Sequence, residues 1–575
     1  MAQYRTDLKD INFNLFELFQ CQSYIEGYEV NDLKEIVNQF DKFIENEVFP
    51  TREEGDTVGV KLTDAGVVVP PSFKKAHDGY YGNGWMGLGY PEDIGGIPAP
   101  KQIYVACNSI CNSANVSYAM YPNLTQGALN TIRAAGSPEQ VDKYSVPMIE
   151  GRWGGTMCLT EAGAGSDVGA LTTTATPLDN GKYSIKGVKI FISSGESDLY
   201  ENNIHLVLAR TPEGVEGTKG ISLFIVPRYK INDDGTSGES NDVKCTKIEE
   251  KMGLHGQATC ELTFGQNGQC EGELIGKEFE GMANMFIMMN EARLLCGVQG
   301  ESQANMAFEL SEQYARERSQ FKSEIINLPD VKRMLLKMRS MSRGMRTLNL
   351  YIASLFDQEE SGNHEVNDLI ALLTPISKSF CTDEGFQVCV DAIQVHGGYG
   401  YCSEYGVEQY ARDSKIASIY EGTNGIQAID FVTRKILKDQ GKAITKLATM
   451  IQKDLESPHA AKFKSEVGFI AKSLAKAQEI LGAYTKKASE KNFNGILATA
   501  TDFLNYCGNL TIAWLSFKSA CKALDLIDGA NGDDKKYYQS KIDDFKIFCQ
   551  HYLVRNSGIA QSILNFEEDL TSMEV

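Results

Sequence analysis

The spacing of apolar residues changes twice along the chain, and this restricts the folds that it can adopt. From about Leu33 to Met157, segments such as LKEIVNQFDKFIENEVF carry apolar residues three and four positions apart, which predicts helices. Between Met157 and about Gly276 the period becomes two. Short runs such as YSIKGVKIFIS and ISLFIVPR, separated by Gly, Asp, Asn and Pro, predict an antiparallel barrel or sandwich. After Gly276 the helical spacing returns and predicts an all-α bundle.

The chain of 575 residues is too long for a single hydrophobic core. We predict an α+β multidomain protein. Its predicted parts are an N-terminal extension (1–32), an N-terminal α domain (33–156), a middle β domain (157–276), a C-terminal α bundle (277–440) and a further helical domain (441–575).

Charge and composition exclude several classes of protein. The formal charge is -20, with 56 Lys and Arg against 76 Asp and Glu, so neither nucleic acid nor an anionic membrane surface is expected as a partner. The first residues, MAQYRTDLKDINFNLFELFQ, do not resemble a secretory signal, and no apolar run is long enough for a membrane span. The 14 cysteines form no CxxC pair and the histidines are scattered, so we expect reduced thiols and no metal site.

Each short motif is weak when taken alone. TEAGAGSDVGA, from Thr160 to Ala170, is rich in glycine but is neither GxGxxG nor a P-loop, and by itself it predicts a turn. QVHGGYGY, which begins at Gln394, is typical of a helix C-cap, and its histidine is typical of a packed side chain. ARERSQF resembles a basic helix end. In IYEGTNGIQ, Glu421 could simply precede a helix N-cap at Thr423.

Together and in this order, the motifs TEAGAGSD, FISSG, EAR, ERSQF, QVHGGYGY and IYEGT resemble the acyl-CoA dehydrogenase family. The resemblance covers about Tyr28 to Asp439. The two ends are similar to a branch with an N-terminal extension and an extra C-terminal helical domain, which contains 3-methylmercaptopropionyl-CoA dehydrogenases and broad-specificity bacterial acyl-CoA dehydrogenases.

The resemblance implies an FAD-dependent oxidoreductase of fatty acid metabolism and β-oxidation. The expected reaction is α,β-dehydrogenation of a fatty acyl-CoA or of 3-methylmercaptopropionyl-CoA to the trans-2-enoyl-CoA, with electrons passed to electron-transfer flavoprotein. Glu421 would be the catalytic base. Some family members carry the base immediately before the arginine that matches Arg293, but here Ala292 stands at that position and Glu291 lies one residue further back.

The resemblance also implies binding residues. The expected FAD contacts in the middle domain are Met157, Leu159, Thr160, Gly165, Ser166, Phe191, Ile192 and Ser193. A second strip would hold the adenosine pyrophosphate of a neighbouring subunit's FAD, through Arg318, Phe321, Gln394, Gly397, Gly398, Thr423 and Gly425. The expected substrate contacts are Ser166, Asn290, Arg293, Tyr420 and Gly422.

If FAD sites straddle subunits, the protein is an oligomer, and the extra C-terminal domain favours a homodimer. A cytoplasmic location is expected. Three alternatives stay open: an acyl-CoA oxidase that uses oxygen, a non-catalytic DNA-associated flavoprotein of the same fold, and a nitroalkane-oxidising relative, which would be expected to have Asp in place of Glu421.

Overall fold

The structure, a computed structural model, describes residues 4–567 and 570–575, without the side chains of residues 287, 288 and 290. The α-helices are Leu8–Asn12 (α1), Val30–Phe43 (α2), Thr51–Thr57 (α3), Pro71–Gly82 (α4), Lys101–Ala135 (α5), Pro138–Ile149 (α6), Gly281–Glu317 (α7), Pro329–Glu360 (α8), Asn367–His396 (α9), Glu408–Ser414 (α10), Asn424–Asp430 (α11), Lys442–Asp454 (α12), Lys464–Ser489 (α13), Phe493–Leu497 (α14), Ala500–Leu526 (α15), Gly532–His551 (α16) and Asn556–Leu564 (α17). Wider π-turns occupy Phe13–Leu18, Ile44–Val48 and Phe431–Lys438.

The strands are short, as the alternating pattern predicts. They are Lys61–Thr63 (β1), Gly66–Val68 (β2), Trp153–Cys158 (β3), Thr174–Pro177 (β4), Tyr183–Ser193 (β5), Asn202–Arg210 (β6), Ile221–Pro227 (β7), Tyr229–Ile231 (β8), Ser237–Ser240 (β9), Val243–Ile248 (β10), Thr259–Phe264 (β11), Glu271–Leu274 (β12), Ser319–Gln320 (β13) and Ser323–Glu324 (β14). The predicted order of helical, β and helical parts is confirmed.

The chain folds as two compact units. The first, the helical unit, contains Met1–Asn38, Pro100–Ser113 and Arg293–Val575. The second, the β-containing unit, contains Gln39–Ala99 and Ala114–Ala292.

The main sheet of the β-containing unit has the strand order β10-β11-β5-β12-β7-β6-β3, and β4 pairs with both β5 and β6. The pairings from β5 through β12, β7, β6 and β4 lead back to β5, so this part of the sheet closes on itself. Most pairs are antiparallel, but β3 runs parallel to β6.

The central strands β6 and β7 are buried on both faces. Alternate residues of β6, such as Ile204 and Leu206, belong to one apolar cluster that includes residues of α5, α6 and α7, whereas Val207 and Ala209 belong to a second cluster inside the sheet. Burial on both faces explains why NIHLVLAR and ISLFIVPR are nearly continuous apolar runs.

In the helical unit, α8 packs against α9, and α15 packs against both of these helices and against α16. Helices α7 and α9 approach so closely that their backbones touch. A Cβ on Gly300 would lie 2.3 Å from the Cys381 carbonyl oxygen, and a Cβ on Gly385 would lie 2.3 Å from the Gly300 carbonyl oxygen. Glycine at both positions therefore sets the distance between the two helices.

Two local features differ from the sequence pattern. A small hairpin, β1–β2, interrupts the predominantly helical first part of the chain, and its run LTDAGVVV is too short to show the alternation of a strand. Helix α5 contains a non-helical residue, Asn115, with φ -157° and ψ 94°.

Along the described parts of the chain, no helix combines the length and apolar character that a membrane crossing requires.

Candidate active site

The candidate base lies on a turn with unusual backbone geometry. Glu421 has φ +57° and Gly422 has φ +81°, so two successive residues adopt the left-handed conformation. The turn connects the 3-10 helix Lys415–Ser418 to α11, where the Thr423 side chain accepts a hydrogen bond from the Ile426 N–H at 3.1 Å. A left-handed conformation costs a residue other than glycine about 1 to 2 kcal/mol. Surrounding contacts must therefore hold Glu421 in place, as is common at functional sites.

Two buried cations act on the Glu421 carboxylate. Burial raises its pKa above the usual value, whereas the charges of Arg293 and Lys378 oppose this rise. Both cations lie in the helical unit, Arg293 on α7 and Lys378 on α9. A carboxyl group with a raised pKa that remains able to ionise is suited to accept a proton near neutral pH.

Lys378 is fully buried, and its Nζ donates to Asn424 Oδ1 at 2.8 Å. Asn424 in turn donates through Nδ2 to Thr382 Oγ1 at 2.9 Å and to the Ser379 carbonyl oxygen at 3.2 Å. Burial lowers the pKa of Lys378 to about 8, against the attraction of Cys296, Glu421 and Asp383. This network connects α9 to the first residue of α11.

Tyr420 precedes the base and is held by α7, because its hydroxyl donates to Gln299 Oε1. Burial, Cys296 and Glu421 raise the pKa of Tyr420 well above the usual value, so its hydroxyl stays neutral. The Glu421 N–H makes no hydrogen bond to any residue that the structure describes, and it can therefore donate to a ligand.

Glu291, the rival base, lies in the β-containing unit. It accepts a hydrogen bond from Asn130 Nδ2 at 2.7 Å, and Asn130 Oδ1 accepts one from the Tyr90 hydroxyl at 2.6 Å. Glu291 thus takes part in a hydrogen-bonded network of its own unit. The side chain of Asn290, an expected substrate contact, lies outside the described residues.

The glycine-rich motif of the β-containing unit is anchored by one carboxylate. Glu161 accepts hydrogen bonds from the backbone and the hydroxyl of both Thr172 and Thr173, at 2.6 to 3.0 Å, and it pairs with Lys189 Nζ at 2.8 Å. Burial alone would raise the pKa of Glu161, but Lys189 and the threonine hydroxyls lower it to about 2. Glu161 is therefore ionised at neutral pH.

This anchor aligns the motif with β5. Lys189 also donates to the Leu159 carbonyl oxygen at 3.0 Å, and the Ile190 N–H donates to the Thr160 carbonyl oxygen at 2.9 Å. The partly buried side chains of Met157 and Leu159 pack against the core. Gly165 and Ser166 lie exposed on the loop, and a Cβ on Gly165 would meet no atom within 4 Å.

A bulge on β5 presents an aromatic ring to the outside. Lys189 pairs with Leu262 and Ile192 with Cys260, so two residues of β5 lie opposite one residue of β11. At the bulge Phe191 has φ +57° and is 59% exposed, whereas Ile192 is buried and Ser193 is partly buried. Bulges redirect side chains, and an exposed planar ring fits a flavin as a partner.

The second predicted strip forms an exposed surface of the helical unit. The Arg318 guanidinium lies 5.4 Å from the centre of the Tyr399 ring, and Phe321 is 87% exposed. Gln394, Gly397 and Gly398 are also exposed, and a Cβ on either glycine would meet no atom within 4 Å. The backbone at Gly397 and Gly398 is open to a ligand, and the arginine suits a pyrophosphate, so these residues fit FAD.

Several residues near these motifs were not predicted from the sequence. They are Gln299, Lys378, Asn424 and Gln427 around the base, and Glu161 and Lys189 around the glycine-rich loop. One feature of the sequence could have indicated Lys378, because it is the charged residue in the otherwise uncharged segment LLTPISKSF. His396 is buried and stacks on Tyr314 with ring centres 4.4 Å apart, as expected for a packed histidine.

Comparison with known proteins covers nearly the whole chain. Family models match residues 31–152 (acyl-CoA dehydrogenase, N-terminal domain), 156–266 (middle domain), 280–437 (C-terminal domain) and 447–574 (acetyl-CoA dehydrogenase C-terminal like). The 3-methylmercaptopropionyl-CoA dehydrogenase of Ruegeria pomeroyi is 37% identical over 96% of this chain and 97% of its own length. The broad-specificity linear acyl-CoA dehydrogenase FadE5 of Mycobacterium tuberculosis is 34% identical over 100% of this chain and 99% of its own length.

A crystal structure of an acyl-CoA dehydrogenase complexed with FAD from Bacillus anthracis matches with a TM-score of 0.76. It is 23% identical and covers 95% of this chain and 90% of its own.

Proposed function

Since the chain belongs to the acyl-CoA dehydrogenase family, we propose that Glu421 is the base that removes the α-proton of its acyl-CoA substrate. Members of this family bind FAD and oxidise a CH–CH bond of an acyl-CoA. When bound, FAD accepts the β-hydrogen as hydride, and the product is the trans-2-enoyl-CoA. The observation that carries the assignment is the left-handed turn at Glu421, where burial raises the pKa of the carboxyl group and the charges of Arg293 and Lys378 oppose this rise.

The carboxylate alone is too weak a base for a thioester α-carbon, so the developing enolate oxygen needs hydrogen-bond donors. We assign one donor to the Glu421 N–H, which makes no hydrogen bond to any other described part of the chain. The Arg293 charge lies close enough to Glu421 to oppose the rise of its pKa, and it would also attract an anionic ligand. Tyr420 and Gly422 would line the same site.

The remaining predicted contacts are proposals with local support. The Glu161–Lys189 pair fixes the Thr160 backbone, which would bond the flavin, and the bulge exposes Phe191 to stack on it. The exposed strip at Arg318, Phe321 and Gly397 would hold the adenosine pyrophosphate of FAD bound by a second copy. An oligomer follows from this arrangement, and we propose a homodimer because of the extra C-terminal domain.

We propose an unbranched acyl-CoA as substrate. The relatives named above act on 3-methylmercaptopropionyl-CoA and on linear acyl-CoA, according to their names, and a methylthio-propionyl group has the shape of a short unbranched chain with sulfur in place of a methylene. We propose electron-transfer flavoprotein as the electron acceptor, as is usual in the family.

The test is an anaerobic titration of the FAD-loaded protein with butanoyl-, octanoyl-, palmitoyl- and 3-methylmercaptopropionyl-CoA. Bleaching of the visible flavin band by at least one thioester is expected, and a branched acyl-CoA should bleach it more slowly. Glu421→Gln should retain FAD and lose bleaching by about a hundredfold or more, because it removes the base. A Glu421→Gln variant that bleaches at the normal rate would contradict the assignment.

The rate at which the reduced flavin is reoxidised distinguishes a dehydrogenase from an acyl-CoA oxidase. Slow reoxidation in air with fast reoxidation by electron-transfer flavoprotein is expected, whereas fast reaction with oxygen would indicate an oxidase. The failure of every thioester to bleach protein that holds FAD would favour the non-catalytic or nitroalkane-oxidising alternatives. Light scattering of the purified protein tests the homodimer.

A further inference from the structure

Gln427 is the residue that contacts the backbone of the candidate base directly. Its Nε2 donates to the Glu421 carbonyl oxygen at 3.1 Å. The side chain of Gln427 is fully buried, and its own N–H donates to the Thr423 carbonyl oxygen at 3.0 Å in the first turn of α11. The side-chain amide that contacts Glu421 thus belongs to a residue whose backbone is fixed in the first turn of α11.

The orientation of this amide is set by chemistry. If its oxygen faced the Glu421 carbonyl, two acceptors would meet without a proton between them, so the nitrogen must face it. The Gln427 Oε1 is then buried without a hydrogen-bond partner among the described residues.

Gly422 leaves room for the same contact. A Cβ on Gly422 would lie 2.8 Å from Gln427 Nε2, so a larger residue would displace the amide from the Glu421 carbonyl. Glu421 is not a glycine and adopts φ +57° only while its neighbours hold it there. The peptide that Gln427 holds joins Glu421 to Gly422, the two left-handed residues of the turn.

We infer that Gln427 is a positioning residue for proton abstraction, which holds Glu421 in its left-handed conformation and so aims both the carboxylate and the N–H of this residue. The inference rests on the proposed function of Glu421. When the amide is removed, the turn can relax towards conformations that suit L-residues better, and the carboxylate then moves away from the α-carbon. Misplacement of a catalytic group by about 1 Å costs about a hundredfold in rate.

The experiment follows α-proton abstraction without hydride transfer. A 3-thia-acyl-CoA has sulfur in place of the β-methylene, so it can lose an α-proton but cannot give a β-hydride. The FAD-loaded protein is incubated with this thioester in D2O, and exchange of the α-hydrogens is followed by NMR over a range of thioester concentrations. The dependence on concentration separates the maximal exchange rate from the affinity for the thioester.

Gln427→Met keeps the size of the side chain and removes the donor. We expect a maximal exchange rate lower by about tenfold or more, with unchanged affinity and unchanged FAD content. Gln409→Met is the matched control, because Gln409 is a buried glutamine of α10 that donates to Asp413 instead. It should exchange at the wild-type rate. Exchange by Gln427→Met at the wild-type rate would overturn the inference.

Gly422→Ala provides a second route if Gln427→Met does not fold. It should also lower the maximal exchange rate, and the double variant should be no slower than the slower single variant, because both changes break one contact. Fully additive losses would overturn the inference. If Glu421→Gln exchanged as fast as the wild type, the proposed base itself would be wrong and the inference would fall with it. Loss of exchange in Glu421→Gln with normal exchange in both other variants would refute the inference alone.

Discussion

A single lysine determines much of the charge around the candidate base. Lys378 is fully buried on α9, where an ammonium group is costly, and its pKa of about 8 leaves it mostly charged at pH 7. Its charge lowers the pKa of Glu421, which burial raises. The buried lysine thus favours the ionised form of Glu421, which the proposed proton abstraction requires.

Replacing Lys378 by Met should shift the pH dependence of turnover. Removal of the positive charge raises the pKa of Glu421 further, so the acidic limb of kcat/KM should move to higher pH. At pH 7 we expect a loss of about tenfold in kcat/KM with normal FAD content. The measurement is the pH profile of anaerobic flavin reduction.

Lys415→Met is the control for this shift. Lys415 donates to Ser418 Oγ and lies 5.1 Å from the centre of the Phe386 ring, and its charge is not among those that act on Glu421. An acidic limb that stays at the wild-type position in Lys378→Met, or that moves equally in both variants, would contradict the role of Lys378.

At the residue scale, the sequence predicts Glu421 as the base but does not predict the residues that surround it. Glu421 can be predicted because it belongs to a motif of consecutive residues, IYEGT, which can be compared directly with the motifs of a family. Gln427 and Lys378 act through space, and their burial depends on helices that are distant along the chain. A glutamine in a helix has no pattern of its own that would distinguish a buried donor from an exposed side chain.

At the scale of elements, the crossing of α7 and α9 brings the cations together. Gly300 and Gly385 let the two backbones touch, and the charges of Arg293 on α7 and Lys378 on α9 both act on Glu421. Helices that meet through larger side chains are about 8 to 10 Å apart. The glycines therefore contribute to the electrostatics of the base without contacting it.

Gly300→Ala should destabilise the protein by about 1 to 3 kcal/mol, because its Cβ would meet backbone rather than a movable side chain. The acidic limb of kcat/KM should also shift, since the helices must separate. Gly468→Ala is the control, because Gly468 lies in α13 with no atom within 4 Å of an added Cβ. This control should raise stability by about 0.5 to 1 kcal/mol, and thermal unfolding of both variants measures the difference.

The anchor of the glycine-rich loop predicts a dependence on acid. The pKa of Glu161 is lowered to about 2 from its usual value of 4.5, so its stabilisation is complete above pH 4.5 and is lost as the pH falls towards 2. Glu161→Gln should therefore lower the melting temperature at pH 7, and its melting temperature should fall less on acidification than that of the wild type.

The rise in FAD fluorescence as the cofactor leaves the protein can be followed in the same melts. In Glu161→Gln this rise should occur at a lower temperature, because the Thr160 backbone loses its support and FAD is bound more weakly. Glu239→Gln, which changes an exposed glutamate paired with Lys230, should leave both properties unchanged. Equal effects of the two changes would argue against the anchor.

The elements themselves were largely predictable. The period of apolar residues follows directly from the geometry of helices and strands, so the α, β, α order could be inferred. The hairpin β1–β2 and the parallel pair β3–β6 could not, because three-residue strands carry almost no period and pairing partners are not encoded locally. The close contact between α7 and α9 could not be predicted either, since a glycine within a helical segment indicates a less stable helix rather than close packing between two helices.

At the scale of the whole molecule, a buried charge cluster joins the two ends of the chain. Asp10 is fully buried and accepts hydrogen bonds from Lys541 Nζ at 2.8 Å, Tyr537 Oη at 2.9 Å and Arg346 Nη1 at 3.0 Å. Burial alone would raise the pKa of Asp10, but Lys541, Arg343 and Arg346 hold it well below its usual value. From the sequence these residues look like ordinary surface charges, and only the fold brings them together.

Asp10→Asn should destabilise the helical unit by about 3 to 5 kcal/mol, because it leaves buried cations without their anion. Asp534→Asn is the matched control, since Asp534 pairs with Lys9 in an exposed bridge that contributes little. Chemical denaturation followed by circular dichroism compares the two variants. Equal stability would show that the cluster does not hold the N-terminal segment.

The bond between Asp10 and Lys541 spans 531 positions of the sequence, which sets an order of events during synthesis. A ribosome that makes this protein releases Asp10 long before Lys541, so the acid of α1 waits for its partner on α16 while the residues between them are made. The helical unit therefore lacks this buried contact until α16 emerges. A product that stops before α16 lacks Tyr537 and Lys541, so its Asp10 is left without two of the three hydrogen-bond donors described above.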